Sequence, residues 1–189
     1  NKIRNRILIT SYKGFYVLEG FRLKKLAVYY QREEISSSGF NDVLETEEGL
    51  TYLNSLKYGM LRFTYQSEKL LCVSDENNTW FREGNTIYSN YYDKASRTFF
   101  IGTQQGLFVV RRPGLIRQVH PIPEDIGTIR ALLPVADGLY IGTEDGAFIW
   151  NGQLKRLTAS KTMKRPLLCR IHQAGNDILG SGHNLYQIK

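Results

Sequence analysis

Residues 137–152 read D-G-L-Y-I-G-T-E-D-G-A-F-I-W-N-G, and this stretch decides the fold. Leu139, Tyr140 and Ile141 form a short apolar run, Gly142-Thr143 interrupts it, Glu144-Asp145-Gly146 supplies turn chemistry, and Ala147 to Trp150 resumes the run. Short β-prone runs flanking a Gly-ended turn are the signature of a β-hairpin, with Gly146 expected at positive φ. The same pattern stands earlier, where residues 98–109 read T-F-F-I-G-T-Q-Q-G-L-F-V. Two such copies one blade-length apart imply a repeat.

Alignment on the turn glycine brings out weaker copies. Residues 178–188, I-L-G-S-G-H-N-L-Y-Q-I, place Gly180 at the Gly142 position, Ser181 at Thr143 and Asn184 at Gly146; Asn tolerates left-handed geometry better than other side-chain-bearing residues. Residues 7–18 align with Ser11 and Gly14, residues 43–53 with Thr46 and Gly49, and residues 70–81 with Ser74 and Asn77 or Asn78. Hairpins are therefore expected near 6–19, 42–56, 70–82, 98–110, 137–151 and 176–189. A four-stranded propeller blade takes about 40–50 residues. The middle intervals are shorter, so those blades carry fewer strands or the sequence omits loops.

The rest of the chain agrees with an all-β fold. Apolar runs last four to six residues between turn signals, with no amphipathic stretch long enough for a helix. Twelve Tyr and nine Phe in a chain 42% hydrophobic favour a folded β protein over disorder. No run approaches the length of a membrane span. Residues 28–41, ending in Ser36-Ser37-Ser38-Gly39, read as an exposed connection, and 70–82 as a third repeat unit. The chain opens at Asn1 with neither an initiator Met nor a signal peptide, and the first unit lacks a leading strand. An excerpt of a larger propeller is the expectation, because a closed ring leaves no open sheet edge.

The net charge of +7 comes from scattered Lys and Arg without a stacking-aromatic platform or reader motif, which argues against specific nucleic-acid binding. Cys72 and Cys169 lie in strand-like apolar runs of different units and read as small buried hydrophobes, leaving the compartment undecided.

No catalytic constellation is present. His120, His172 and His183 lack metal-ligand spacing, and Glu33-Glu34, Glu47-Glu48 and Glu124-Asp125 are adjacent acids in polar connections. No catalytic residue, metal or cofactor is expected. Ligand recognition would use loops at one end of a central channel. Tyr91, Tyr92, Arg130, Arg170 and His172, on or beside inner strands, are the candidates for that mouth, set against blade packing for the tyrosines and solvated charge for the arginines. Gly102, Thr103, Gly106, Gly142, Thr143, Gly146, Gly180, Ser181 and Asn184 recur from unit to unit and are expected to be structural.

I-G-T-Q-Q-G-L-F-V and I-G-T-E-D-G-A-F-I resemble the two-component regulator propeller repeat, although Phe100 and Tyr140 stand where that family often has Trp before I-G-T. The resemblance implies a β-propeller from the extracytoplasmic, periplasm-facing sensor region of bacterial hybrid two-component systems, notably glycan-sensing ones of gut bacteria. It implies an oligosaccharide ligand, further domains of the same receptor and a homodimer as partners, and membrane attachment only through segments outside this chain. A histidine kinase would lie elsewhere in such a receptor, so this segment would not be an enzyme. A protein-interaction propeller is the alternative function, and a propeller-fold glycan hydrolase or lyase the third.

Overall fold

The computed structural model describes residues 7–46, 50–66, 68–74, 86–111, 115–118, 126–157, 170–175, 177–181 and 185–188. Every regular element among them is a strand. The chain divides into two compact units, Asn1–Ile87 and Tyr88–Lys189.

The first unit holds β1 (Ile7–Ser11), β2 (Gly14–Glu19), β3 (Arg22–Tyr30), β4 (Glu33–Glu34), β5 (Phe40–Glu45), β6 (Thr51–Ser55), β7 (Gly59–Gln66) and β8 (Lys69–Ser74). They form one eight-stranded sheet in the order β1-β2-β3-β8-β7-β6-β5, with β4 paired to β3. The β3–β8 ladder alone is parallel, from Ala27↔Lys69 to Tyr30↔Cys72. It joins two antiparallel layers along their outer edges. Thr10 Oγ1 donates to the Asn41 carbonyl at 3.1 Å at the other end, so the sheet is nearly closed on itself. Joining the edges in this way leaves few unpaired backbone groups.

Strand alternation fills this sheet from both layers. Phe15, Val17, Leu26 and Val28 meet Phe40, Leu53, Leu61, Phe63 and Leu70 in one buried cluster. Cys72 belongs to it, and burial pushes its thiol up to about 12. It is the small buried hydrophobe expected, whereas Cys169 lies outside the described residues.

Two expectations change here. Residues 28–41 are not an exposed connection: Val28, Tyr30, Ile35, Ser36 and Phe40 are buried. Strand β3 continues to Tyr30 because β8 pairs with it, and Gln31 and Arg32, at φ 52° and 71°, turn the chain back into β4. The third expected unit also changes, since Lys69–Ser74 completes the eight-stranded sheet; residues 75–82 lie outside the described residues.

The second unit contains three separate sheets. β9 (Ile87–Asp93), which begins at the unit boundary, joins β10 (Thr98–Thr103), β11 (Gly106–Arg111) and β12 (Leu115–Gln118). β13 (Ile129–Val135), β14 (Gly138–Thr143), β15 (Gly146–Trp150) and β16 (Leu154–Leu157) form a second, and β17 (Arg170–Ala174), β18 (Asp177–Ser181) and β19 (Leu185–Ile188) a third. Each is a blade-like antiparallel meander.

The middle sheet is buried on both faces. On one, Leu139, Ile141 and Phe148 pack with Leu107, Tyr91 and Phe100 of the preceding sheet. On the other, Ala131, Ala147, Leu133 and Tyr140 pack with Ile171 and Ile178 of the following one. A sheet that cannot shield both faces by itself is thus covered by two neighbours.

The recurring turn has one construction. Thr143 Oγ1 accepts from the Asp145 N–H at 3.0 Å and donates to the Gly146 carbonyl at 3.2 Å. Thr103 does the same with Gln105 and Gly106, both at 3.0 Å. Gly106 and Gly146 sit at φ 118° and 144°. Both hydroxyls are buried, so Thr143→Val strands a donor and an acceptor and should cost about 2 kcal/mol. Urea denaturation of the variant checks this, and Thr143→Ser should restore most of the loss.

In the first unit Ser11 and Gly14 pair as the sequence predicts, with Ser11 Oγ accepting from the Lys13 N–H at 3.0 Å and Gly14 at φ 141°, but the turn of the second copy is not the one the sequence singles out. Ser55 Oγ accepts from the Lys57 and Tyr58 N–H groups, both at 3.3 Å, and Ser55 pairs with Gly59. The Phe40↔Ser55, Asp42↔Asn54 register, with its shift between Phe40 and Asp42, repeats Ile129↔Thr143, Ala131↔Gly142 with its shift between Ile129 and Ala131. Ser55 therefore occupies the Thr143 place, and the Thr46 alignment belongs to a different hairpin. Gly49, Asn77, Asn78 and Asn184 lie outside the described residues.

Candidate functional site

Arg130 is the candidate that the structure builds around. The register shift between Ile129 and Ala131 makes it the extra residue of a β-bulge at the start of β13. Bulges re-aim side chains out of the ladder and concentrate at the rims of β folds. The Arg130 guanidinium lies over the Tyr88 ring, 4.0 Å from its centroid, and Nε donates to Glu144 Oε1 at 3.1 Å. Nη2 completes the ion pair with the same carboxylate.

Glu144 is itself tied to the strand it faces, because its backbone N–H donates to the Thr128 carbonyl at 3.2 Å. The hydrogen bond from Arg130 holds the Glu144 carboxyl below its ordinary value, against the opposing effect of partial burial. The pair is partly exposed, with side chains 28% and 39% accessible, so cation, ring and carboxylate stay in reach of solvent. An oriented guanidinium on an aromatic face, with an acceptor beside it, suits hydroxyl-rich ligands.

This geometry sets a pH dependence. Glu144 has a folded value below its unfolded one, so its contribution is present above the ordinary carboxylate range and disappears as pH falls through the depressed folded value. Glu144→Gln should cost less than about 1 kcal/mol near neutrality, because the pair is solvent-screened. The gap between wild type and variant in urea denaturation should close between about pH 6 and about pH 3.

Tyr91 and Tyr92 do not join Arg130. The Tyr91 ring stacks on Phe100 at 6.0 Å and 21°, and Phe100 in turn meets Trp150 at 5.7 Å. Burial, followed by the Asp93 carboxylate, raises the Tyr91 hydroxyl above its ordinary value. Tyr92 is buried against Phe99 at 4.7 Å. Both rings serve sheet packing. Arg170 and His172 fall on β17, where Arg170 pairs with Ser181 and His172 with Leu179; their side chains lie outside what is described.

Tyr88 and Glu144 were missed by the sequence reading. Glu144 is one of the two variable turn residues of I-G-T-x-x-G, and only the bulge at Arg130 gives it a partner. Asn54 was missed as well. It is fully buried at the place held elsewhere by Gly102 and Gly142, and neither its Oδ1 nor its Nδ2 has a hydrogen-bond partner among the described residues. Reading the second copy on Ser55 would have exposed that substitution. Among the described residues no group of three or more His, Cys, Asp or Glu could hold a metal ion.

The fold has counterparts among solved structures. The chain matches the extracellular domain of BT4673 from B. thetaiotaomicron, a protein assigned to the one-component systems, with a TM-score of 0.68 at 15% identity, covering 97% of this chain and 26% of that one. It matches the extracellular domain of BT3049, assigned to the hybrid two-component systems of B. thetaiotaomicron, at 0.67 and 17%, covering 97% and 26%. It also matches the WD40 β-propeller domain of Doa1 at 0.63 and 16%, covering 97% and 60%. The shared feature is the all-β propeller fold. The chain spans about a quarter of the length of the two extracellular domains. No protein-family model and no curated protein matches it.

Proposed function

We propose that this chain is a ligand-sensing propeller segment from the extracytoplasmic, periplasm-facing part of a bacterial two-component receptor, and that it recognises an oligosaccharide without turning it over. The likeness to extracellular domains assigned to hybrid two-component systems supports the sensor role and its side of the membrane. The observation that carries ligand recognition is the bulged Arg130, clamped between the Tyr88 ring and Glu144 at a solvent-reached turn. Its partners would be the other domains of the same receptor and a second copy of it. Any histidine kinase would lie in another part of that protein. A ligand that favours one arrangement of those domains would shift the receptor between states.

Titration calorimetry against a panel of neutral and acidic oligosaccharides tests this. Binding that Tyr88→Ala and Arg130→Ala each weaken about tenfold, with no product after long incubation, supports the proposal. Binding to no glycan overturns it in favour of a protein-interaction propeller, and product formation overturns it in favour of a glycan hydrolase or lyase.

A further inference from the structure

The outward face of β1–β2–β3 carries apolar residues that no described residue fully covers. Ile7 pairs with Leu18 and Leu18 with Leu23, so one aliphatic row crosses all three strands. Ile9, Tyr16 and Lys25 make the next row. Phe15, Val17 and Leu26 point the other way into the core, as strand alternation requires. Yet Ile7 is 60% exposed and Leu23 57%. Aliphatic neighbours on a sheet face ordinarily mark contact with another element.

The internal repeat says what that element is. Alignment of Ser11 and Gly14 with Thr143 and Gly146 puts Ile7–Leu18–Leu23 on Leu139–Trp150–Leu154, which are paired in the same way. Ile9–Tyr16–Lys25 falls on Ile141–Phe148–Arg156. In the later copy these rows are covered: Leu139 is 4% exposed, and the rows pack on Tyr91, Phe100 and Leu107 of the sheet that comes before them in the chain. Phe99, Ile101 and Val110, the corresponding residues of the β9–β12 sheet, are buried too. The opposite face of β1–β2–β3 meets the β5–β8 layer that follows it in the chain, and the opposite face of the later copy meets the sheet that follows it.

We propose that the outward face of β1–β2–β3, centred on Ile7, Leu18 and Leu23, is the seat of a preceding sheet of the same polypeptide, supplied by chain N-terminal to Ile7. That sheet presents aliphatic and aromatic side chains in the manner of Tyr91, Phe100 and Leu107. Charge disfavours a second copy as occupant. A twofold contact centred on Ile7, Leu18 and Leu23 would enclose the Lys25 of both copies in one largely apolar seam, which is costly for like charges. In the later copy the cation at that place, Arg156, reaches the Asp145 carbonyl at 2.8 Å and stays at the rim.

Hydroxyl-radical footprinting read by mass spectrometry tests this on wild-type side chains. One sample is the 189-residue chain, and the other is the polypeptide extended along its reading frame by about one blade, roughly 40–50 residues. Modification of Ile7 and Leu23 should slow about tenfold in the extended chain, in line with exposures falling from the Leu23 value to the Leu139 value, while Leu139 and Leu154 stay unchanged. Leu23→Asp should leave the melting of the 189-residue chain unaltered and lower that of the extended one. Equal modification rates in the two chains would overturn the proposal, as would a reading frame with no β-type segment before Ile7. Protection that rises with concentration in the 189-residue chain, together with a doubled mass in sedimentation, would assign the face to a second copy instead.

Discussion

Phe15→Ala should destabilise the protein by about 4 kcal/mol, within the usual range for removing a buried aromatic ring. Phe15 is 0% exposed and meets the Phe40 ring at 6.4 Å and 85° and the Phe63 ring at 5.9 Å and 69°, both edge-on. Its strand belongs to one layer of the eight-stranded sheet and its two ring partners belong to the other. The truncation removes apolar burial, two edge-to-face contacts and the filler between the layers at once. A domain of this size has about 5–15 kcal/mol in total, so the variant should lose much of its margin. Urea denaturation reads the change, and Phe15→Leu should recover most of it, leaving a cost of about 1 kcal/mol.

The second large effect is expected at a residue with no side chain. A Cβ on Gly102 would lie 2.5 Å from Ser89 Oγ and closer still to Ile129 Cγ2. Both neighbours are buried, and Ile129 is a stiff β-branched residue that has no room to swing away. Gly102→Val should therefore cost about 3 kcal/mol as overpacking. The ladder runs unbroken through Gly102, from Ile101↔Phe108 to Thr103↔Gly106, so the glycine serves close approach between sheets and not a bend. Adding Ser89→Ala should recover part of the loss, because the two positions share the clash.

The second unit was legible because its signals are local. Thr103 and Thr143 bond groups two and three residues away, so I-G-T-x-x-G carries its own turn and fixes the register of the flanking strands. The fold class follows from counting such turns. The first unit was harder to read. The turn at Gln31-Arg32 has positive φ at both residues and neither Gly nor Asn to announce it, so a buried strand and its return were read as connection. The parallel β3–β8 pairing joins residues forty-two apart in sequence that carry no mutual signal. Ser55 was passed over because its turn holds one residue more than the pattern allows.

The candidate site was legible by half. Arg130 stood out as a cation on an inner strand, while its bulge depends on how β13 meets β14, and Tyr88 lies on another strand of the same unit. Tyr91 and Tyr92 looked like ligand platforms because an aromatic pair does not declare its orientation. The ring contacts with Phe100 and Phe99 decide it.

Successive sheets pack face to face through equivalent rows, and nuclear Overhauser spectroscopy of the second unit tests that packing most directly. Cross-peaks are expected between the Phe100 ring and the Trp150 indole, whose centroids are 5.7 Å apart, and between the methyls of Ile171 and those of Ala131 and Ala147. Their appearance together places the middle sheet between its two neighbours. Strong contacts within each hairpin with none from sheet to sheet would contradict the account.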